Sequence, residues 1–238
     1  MGLKFLEKDE RVPYIAETIE LYRRAGISIV NDLYKKGKRP ALLVVDLQET
    51  FTSPDSPCGT KGVSDEVGRV VDGVVENTGI LLDVMRKKGF PVVYITSVYR
   101  EDRADGGRMA DRVPVLMEYC TSGTRWVQVD KRITSKETDY IVEKKVSSAF
   151  IGTPLLQILT WNRVDTCIVT GLSISACVRQ HAVDAMSYGY YTVLPEECVG
   201  DRSIGAGKAN LFDIAAKFAD VTSMEDVLSW VNGLKSRG

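Results

Sequence analysis

The feature of this sequence that most limits its fold is a series of short, unbroken apolar runs, each followed by a stretch of helical period. Ala41-Leu-Leu-Val-Val runs into Asp46, and Pro91-Val-Val-Tyr-Ile-Thr96, Thr166-Cys-Ile-Val-Thr170 and Tyr191-Thr-Val-Leu194 repeat the pattern. Tyr140-Ile-Val142 is a shorter run of the same kind, and Asp220-Val-Thr222 reads as an edge strand. Apolar runs without polar alternation suit strands covered on both faces. Between them, Ser64–Lys88 places Val67, Val70, Val71, Val74, Leu81, Leu82 and Met85 at helical spacing, with Gly89 as the stop. Further helices are expected at Pro13–Gly26, Thr153–Leu159, Ser175–Tyr188, Ala206–Phe218 and Ser223–Leu234. Alternating strands and helices imply a three-layer α/β fold with a mainly parallel sheet and helices on both faces. The 238 residues are expected to form one domain, with residues 1–38 as an N-terminal helical extension.

Ligands of such folds bind beyond the carboxyl ends of the strands, so the residues that follow each strand matter most. The connection from Ser97 to Thr138 is too long to be a simple turn and is expected to line a pocket or a subunit contact; its Trp126 is a candidate pocket residue, or else a core or interface anchor.

Charge and residue counts remove several functions. There are 31 Lys and Arg against 32 Asp and Glu, a net charge of −1, so no basic excess exists to neutralise nucleic acid phosphates. No apolar run approaches the ~20 residues of a membrane helix, and the opening MGLKFLEKDER lacks a signal-peptide core, so the expected address is cytoplasmic. Gly205-Ala-Gly-Lys208 fails the phosphate-loop pattern. The single histidine, His181, cannot form a multi-histidine metal site, and neither metal nor cofactor is expected. Five cysteines without a CxxC form neither a disulfide framework nor a zinc knuckle.

Three residues then stand out. Cys177 follows the strand ending at Thr170, after a turn of small residues and at the start of a helix, where the dipole would favour thiolate and turn amides could face an oxyanion. Asp46 ends the first strand, and Lys144 follows the third. Singly, each has a plain reading: a buried thiol, a turn cap, a solvated edge. Together they can converge on one rim, where a carboxylate takes the thiol proton and a lysine lowers the thiol pKa, giving a nucleophile without histidine. His181 shares a helix face with Cys177, so a Cys–His dyad is the alternative. Arg202, after the fifth strand, suits either a substrate carboxylate or a structural ion pair with Asp201 or another acid.

These motifs resemble the isochorismatase-like cysteine hydrolase superfamily. The marks are Val44-Val-Asp46-Leu-Gln with Phe51, Lys144 ahead of Ser148-Ala-Phe150, Val169-Thr-Gly171 with Cys177-Val-Arg179, and Val183-Asp184-Ala185. Glu196-Glu-Cys-Val-Gly-Asp-Arg202 and Asn210-Leu-Phe-Asp-Ile214 resemble the branch of amidases acting on N-carbamoylsarcosine and on maleamate. The resemblance implies a Rossmann-like six-stranded sheet and a catalytic set of Asp46, Lys144 and Cys177. It further implies a cis peptide at Leu172-Ser173, an oxyanion hole from the N–H groups of Ser173 and Cys177, and substrate contacts from Arg202 and Leu172. Ile174, bulkier than usual at that turn, is expected to reshape the pocket. The partner is then a small carboxylate-bearing amide, in a homo-oligomer (dimer or tetramer). The lack of an Asp-x-His set disfavours nicotinamidase, and Cys177 disfavours isochorismatase itself. A catalytically silent binding or scaffold protein on the same fold is the reading of another class.

Overall fold

The structure, a computed structural model, describes residues 3–56 and 58–237. The strands are β1 (Pro40–Val45), β2 (Val92–Ser97), β3 (Tyr140–Lys144), β4 (Thr166–Leu172), β5 (Tyr191–Pro195), β6 (Val199–Gly200) and β7 (Asp220–Thr222). The α-helices in chain order are α1 (Tyr14–Arg24), α2 (Glu49–Thr52), α3 (Asp65–Lys87), α4 (Gly107–Arg112), α5 (Pro114–Tyr119), α6 (Leu155–Trp161), α7 (Arg179–Ser187), α8 (Ile204–Lys217) and α9 (Met224–Gly233).

All strand pairs in the sheet are parallel, in the order β3-β2-β1-β4-β5-β7. The sixfold expectation falls short by one: the two-residue β6 pairs with the end of β4. Every residue of β1, β2 and β4 is buried, as their unbroken apolar runs require. Alternate residues serve opposite cores. Ala41, Leu43 and Val45 join one apolar cluster with α6, α7 and α8, whereas Leu42 and Val44 join another with α3 and α9. In the N-terminal extension, Ile15 is buried in the first of these and Tyr22 stacks on Phe212 with ring centroids 5.7 Å apart, whereas Tyr34 is buried in the second, edge-on to Trp230.

Local chemistry explains the helix limits. Ser64 caps α3 by accepting the Val67 N–H, Asp65 and Glu66 occupy its first turn, and Arg86 and Lys87 its last. Gly205–Lys208, the rejected phosphate loop, lies inside the first turns of α8, with Lys208 3.0 Å from Asp9. Two expectations change. The segment 97–138 carries α4, α5 and two 3-10 turns at Arg125–Val127 and Lys131–Ile133, so it is a folded wall rather than a loop. The helix expected from Ser175 begins instead as a π-turn over Ile174–Val178, and regular α-helix starts only at Arg179. Such π-turns gather at functional sites.

The end of β4 approaches β1 closely at Gly171, which has φ +112° and pairs with Val45. A Cβ there would fall 1.9 Å from the Val45 carbonyl oxygen, so only glycine fits. Gly171→Ala is expected to cost more than about 3 kcal/mol in urea unfolding. Gly73→Ala, inside α3 with nothing within 4 Å of the new Cβ, is expected to stabilise by about 0.5–1 kcal/mol. Equal effects of the two substitutions would contradict the packing described.

Candidate active site

Parallel register brings the strand ends together. Asp46 follows β1 in the left-handed region (φ +51°), a conformation that aspartate tolerates better than most residues, and its N–H donates to Ile95 O at 2.9 Å. Ser97 and Lys144, the last residues of β2 and β3, lie opposite each other in register. Cys177 sits in the π-turn that follows β4.

Lys144 Nζ is 2.9 Å from Asp46 Oδ2, and both residues are only 1% exposed. Nζ also donates to Ser97 Oγ at 2.7 Å and contacts Cys177 Sγ at 3.4 Å. Ser97 Oγ in turn donates to Asp46 Oδ1 at 3.0 Å. The 2.9 Å approach of Nζ to Oδ2 is an ion pair without hydrogen-bond alignment, so Oδ2 is buried with no hydrogen-bond partner. Behind Ser97 stands Gln48, wholly buried. Its Oε1 accepts the Ser97 N–H at 2.8 Å, and its Nε2 donates to the carbonyls of Ser97 and Val127 at 3.1 and 3.0 Å.

Electrostatics set the protonation states. Burial opposes the Lys144 charge, but the Asp46 carboxylate and Cys177 together outweigh it and hold the ammonium above the usual lysine range. Burial pushes the Cys177 thiol up to about 12; Asp46 adds to this, and Lys144 opposes it only in part. The expected stabilised thiolate is therefore reversed. At neutral pH the group is a thiol beside an ion pair. Among the five cysteines, Cys177 is partly exposed and the other four are buried.

His181 belongs to the turn, not to the chemistry. Its Nδ1 lies 2.7 Å from the Cys177 carbonyl oxygen and its Nε2 accepts the Ala149 N–H at 3.0 Å. Nδ1 therefore carries the hydrogen and Nε2 does not. With both nitrogens bound to backbone, no ring nitrogen is left for the thiol, and the Cys–His dyad has no geometric basis. The imidazole instead ties the nucleophile turn to the loop after β3.

The remaining expected residues divide. The Leu172–Ser173 peptide is cis, and the Ser173 carbonyl accepts the Ala176 and Val178 N–H groups. The Leu172 side chain, however, is fully buried in the α3 face of the core, so it offers a substrate no surface. Ile174 likewise packs into the opposite core, 3.5 Å from where a side chain on Gly207 would begin, and borders a separate 430 Å³ cavity with Phe5, Asp201 and Leu211. None of Asp46, Lys144 and Cys177 lines that cavity. Arg202 is exposed, and its charge reaches the Cys58 thiol. Asp201 is not its partner: that carboxylate accepts the Ser175 and Ser203 N–H groups at 2.7 and 3.1 Å. Trp126 packs edge-on to Tyr119 under the Arg125 guanidinium, and its carbonyl accepts from Thr50 Oγ1 at 2.7 Å. Among the described residues, no group of three or more His, Cys, Asp or Glu side chains is placed to hold a metal ion, and no helix is long and apolar enough to cross a membrane.

Sequence reading missed Ser97 and Tyr99. Ser97 shares the strand-end position that singled out the others; Tyr99 is buried close enough for Lys144, Asp46 and Cys177 to act on its hydroxyl.

The isochorismatase domain model matches residues 40–226. N-carbamoylsarcosine amidase of an Arthrobacter species is 35% identical over 230 residues, covering 92% of this chain and 83% of that protein. Maleamate amidohydrolase of Pseudomonas putida is 33% identical over 199 residues, covering 83% and 89%. The structure of a cysteine hydrolase from Pseudomonas syringae pv. phaseolicola superposes with a TM-score of 0.72 at 25% identity, covering 82% of this chain and 92% of that one.

The buried imidazole generates a pH-dependent stability. Burial, and next the Lys144 charge, lower the His181 pKa from 6.5 to about 4. The unfolded chain therefore binds the extra proton first. The contribution is present in full above pH 6.5 and is lost as pH falls toward 4, about 3 kcal/mol in all. Urea unfolding across this range is expected to show that loss in the wild type and a flatter profile in His181→Gln. Parallel profiles would refute the assignment.

Proposed function

The chain belongs to the isochorismatase family, and on that premise we propose that this family hydrolase is a cysteine-dependent amidohydrolase that releases ammonia from a small linear amide or carbamoyl compound bearing a carboxylate. The observation that carries this reading is the partly exposed Cys177 thiol held against a fully buried Asp46–Lys144 pair, with Lys144 Nζ 3.4 Å from the sulfur. A scaffold protein has no use for two buried charges, whose desolvation is costly.

Each residue has one task. Asp46 takes the proton of Cys177 as the sulfur attacks the substrate carbonyl carbon. This order suits a thiol whose resting pKa is high, since the proton leaves only as the new bond forms. Lys144 keeps its charge throughout, fixes Asp46 and balances the negative charge that grows near sulfur. The N–H groups of Ser173 and Cys177 receive the oxyanion in this reading. Collapse of the tetrahedral adduct breaks the C–N bond, and Asp46 returns its proton to the departing ammonia. Water then cleaves the thioester or S-carbamoyl group, giving its proton to Asp46, which restores the thiol. Arg202, exposed and with its charge reaching the Cys58 thiol, would hold the substrate carboxylate.

N-carbamoylsarcosine is the substrate type favoured by the more extensive of the two amidase likenesses; its products would be sarcosine, carbon dioxide and ammonia. Maleamate, which would give maleate and ammonia, is the second reading and rests on a nearly equal identity.

Cys177→Ala is expected to lower ammonia release by about 10³-fold or more, with the fold intact by circular dichroism. A panel of carbamoyl amino acids, maleamate and nicotinamide identifies the substrate by kcat/KM. Full activity in Cys177→Ala, or no hydrolysis of any linear amide by the wild type, would overturn the proposal.

A further inference from the structure

We propose that Ser97 is a positioning residue that selects which oxygen of Asp46 receives the Cys177 proton; this rests on the amidohydrolase reading above and deepens it. An ammonium has three hydrogens and no lone pair, so at 2.7 Å from Lys144 Nζ the Ser97 oxygen must be the acceptor. Its own single hydrogen then points at Asp46 Oδ1, 3.0 Å away. A hydroxyl facing two carboxylate oxygens in solution would choose freely between them. Here the lysine fixes the direction of the O–H bond.

The two oxygens of Asp46 therefore differ. Oδ1 carries a hydrogen bond, whereas Oδ2 is buried, faces Lys144 Nζ without hydrogen-bond alignment and accepts from no group. With Oδ1 engaged by the serine hydrogen, Oδ2 is the oxygen left free to take up another. When sulfur attacks, the S–H bond breaks, its proton passes to Oδ2, and the electron pair left on sulfur forms the S–C bond. Ser97 keeps its own proton. Without the Ser97 hydroxyl, Oδ1 loses its donor, and the carboxylate can turn to pair both oxygens with Lys144.

The rigidity of Ser97 supports this role. It is 4% exposed, ends β2 opposite Lys144 in register, and is gripped by Gln48 at both its N–H and its carbonyl. The same Gln48 amide also holds the Val127 carbonyl, and Glu49 N–H donates to Gln128 O at 2.8 Å, so the wall formed by residues 97–138 braces the serine from behind.

Ser97→Ala is expected to lower kcat for ammonia release at least about tenfold while KM stays within about twofold, and to slow alkylation of Cys177 by iodoacetamide by a similar factor. Ser97→Thr keeps the hydroxyl and is expected to recover at least about half of the wild-type rate of both. Unchanged kcat and unchanged alkylation in folded Ser97→Ala would overturn the proposal. If the alanine variant does not fold, Ser97→Cys decides: a thiol of similar size hydrogen-bonds weakly, so full kcat there is the contrary result. Failure of the amidohydrolase reading is separable. A wild type that hydrolyses no amide leaves the alkylation series, with Cys177 labelling located by mass spectrometry, to decide the role of Ser97.

Discussion

The buried ion pair between Lys144 and Asp46 is the interaction on which the site depends. Two charges at 1% exposure carry a desolvation cost of several kcal/mol each, and their mutual attraction offsets it only if the geometry is held tightly. The sheet supplies that rigidity. β1 delivers Asp46, β3 delivers Lys144, and the intervening β2 places Ser97 between them, bonded to both. Removing either charge would strand the other in a low-dielectric interior, which is why the carboxylate and the lysine belong to one unit rather than to two separate roles.

That pair also governs the thiol. A cysteine nucleophile is commonly prepared as a thiolate by histidine or a helix dipole. Here Asp46 and burial together outweigh Lys144, and the resting sulfur keeps its proton. The one histidine serves a mechanical purpose, bridging the Cys177 carbonyl and the Ala149 N–H. The π-turn, anchored by His181, presents the sulfur to the pair without lending it a base. Asp46 thus adds to the burial that keeps the thiol quiet at rest, and it is the group able to receive the proton during attack.

How much of this could be read in the sequence depended on whether the signal was local. The unbroken apolar runs of β1 and β4 identified buried parallel strands, and the strand-end rule led from them to Asp46 and Cys177. Lys144 was harder, since a paired lysine after a three-residue apolar run resembles any solvated edge; β3 in fact continues to Lys144 and buries it. Ser97 left no mark, because a strand-end hydroxyl means nothing until β2–β3 register sets it beside the lysine. The π-turn was invisible for a related reason: helical periodicity over Ser175–Tyr188 does not reveal a change in hydrogen-bond register within its first turn. Leu172 and Ile174 were misread because sequence position near the nucleophile says nothing about which core face a side chain enters, and both turn inward. His181 was legible as a helix-face neighbour of Cys177, but its partners are backbone atoms that no side-chain pattern announces.

In this site Cys177 rests as a neutral thiol against the Asp46–Lys144 ion pair. The most direct test is the pH dependence of Cys177 alkylation by iodoacetamide, followed by peptide mass spectrometry to separate it from the four buried cysteines. The rate is expected to be still rising at pH 9 and beyond, without a plateau, in keeping with a thiol pKa pushed up to about 12. A titration that levels off below pH 8 would mean a preformed thiolate and would contradict the account.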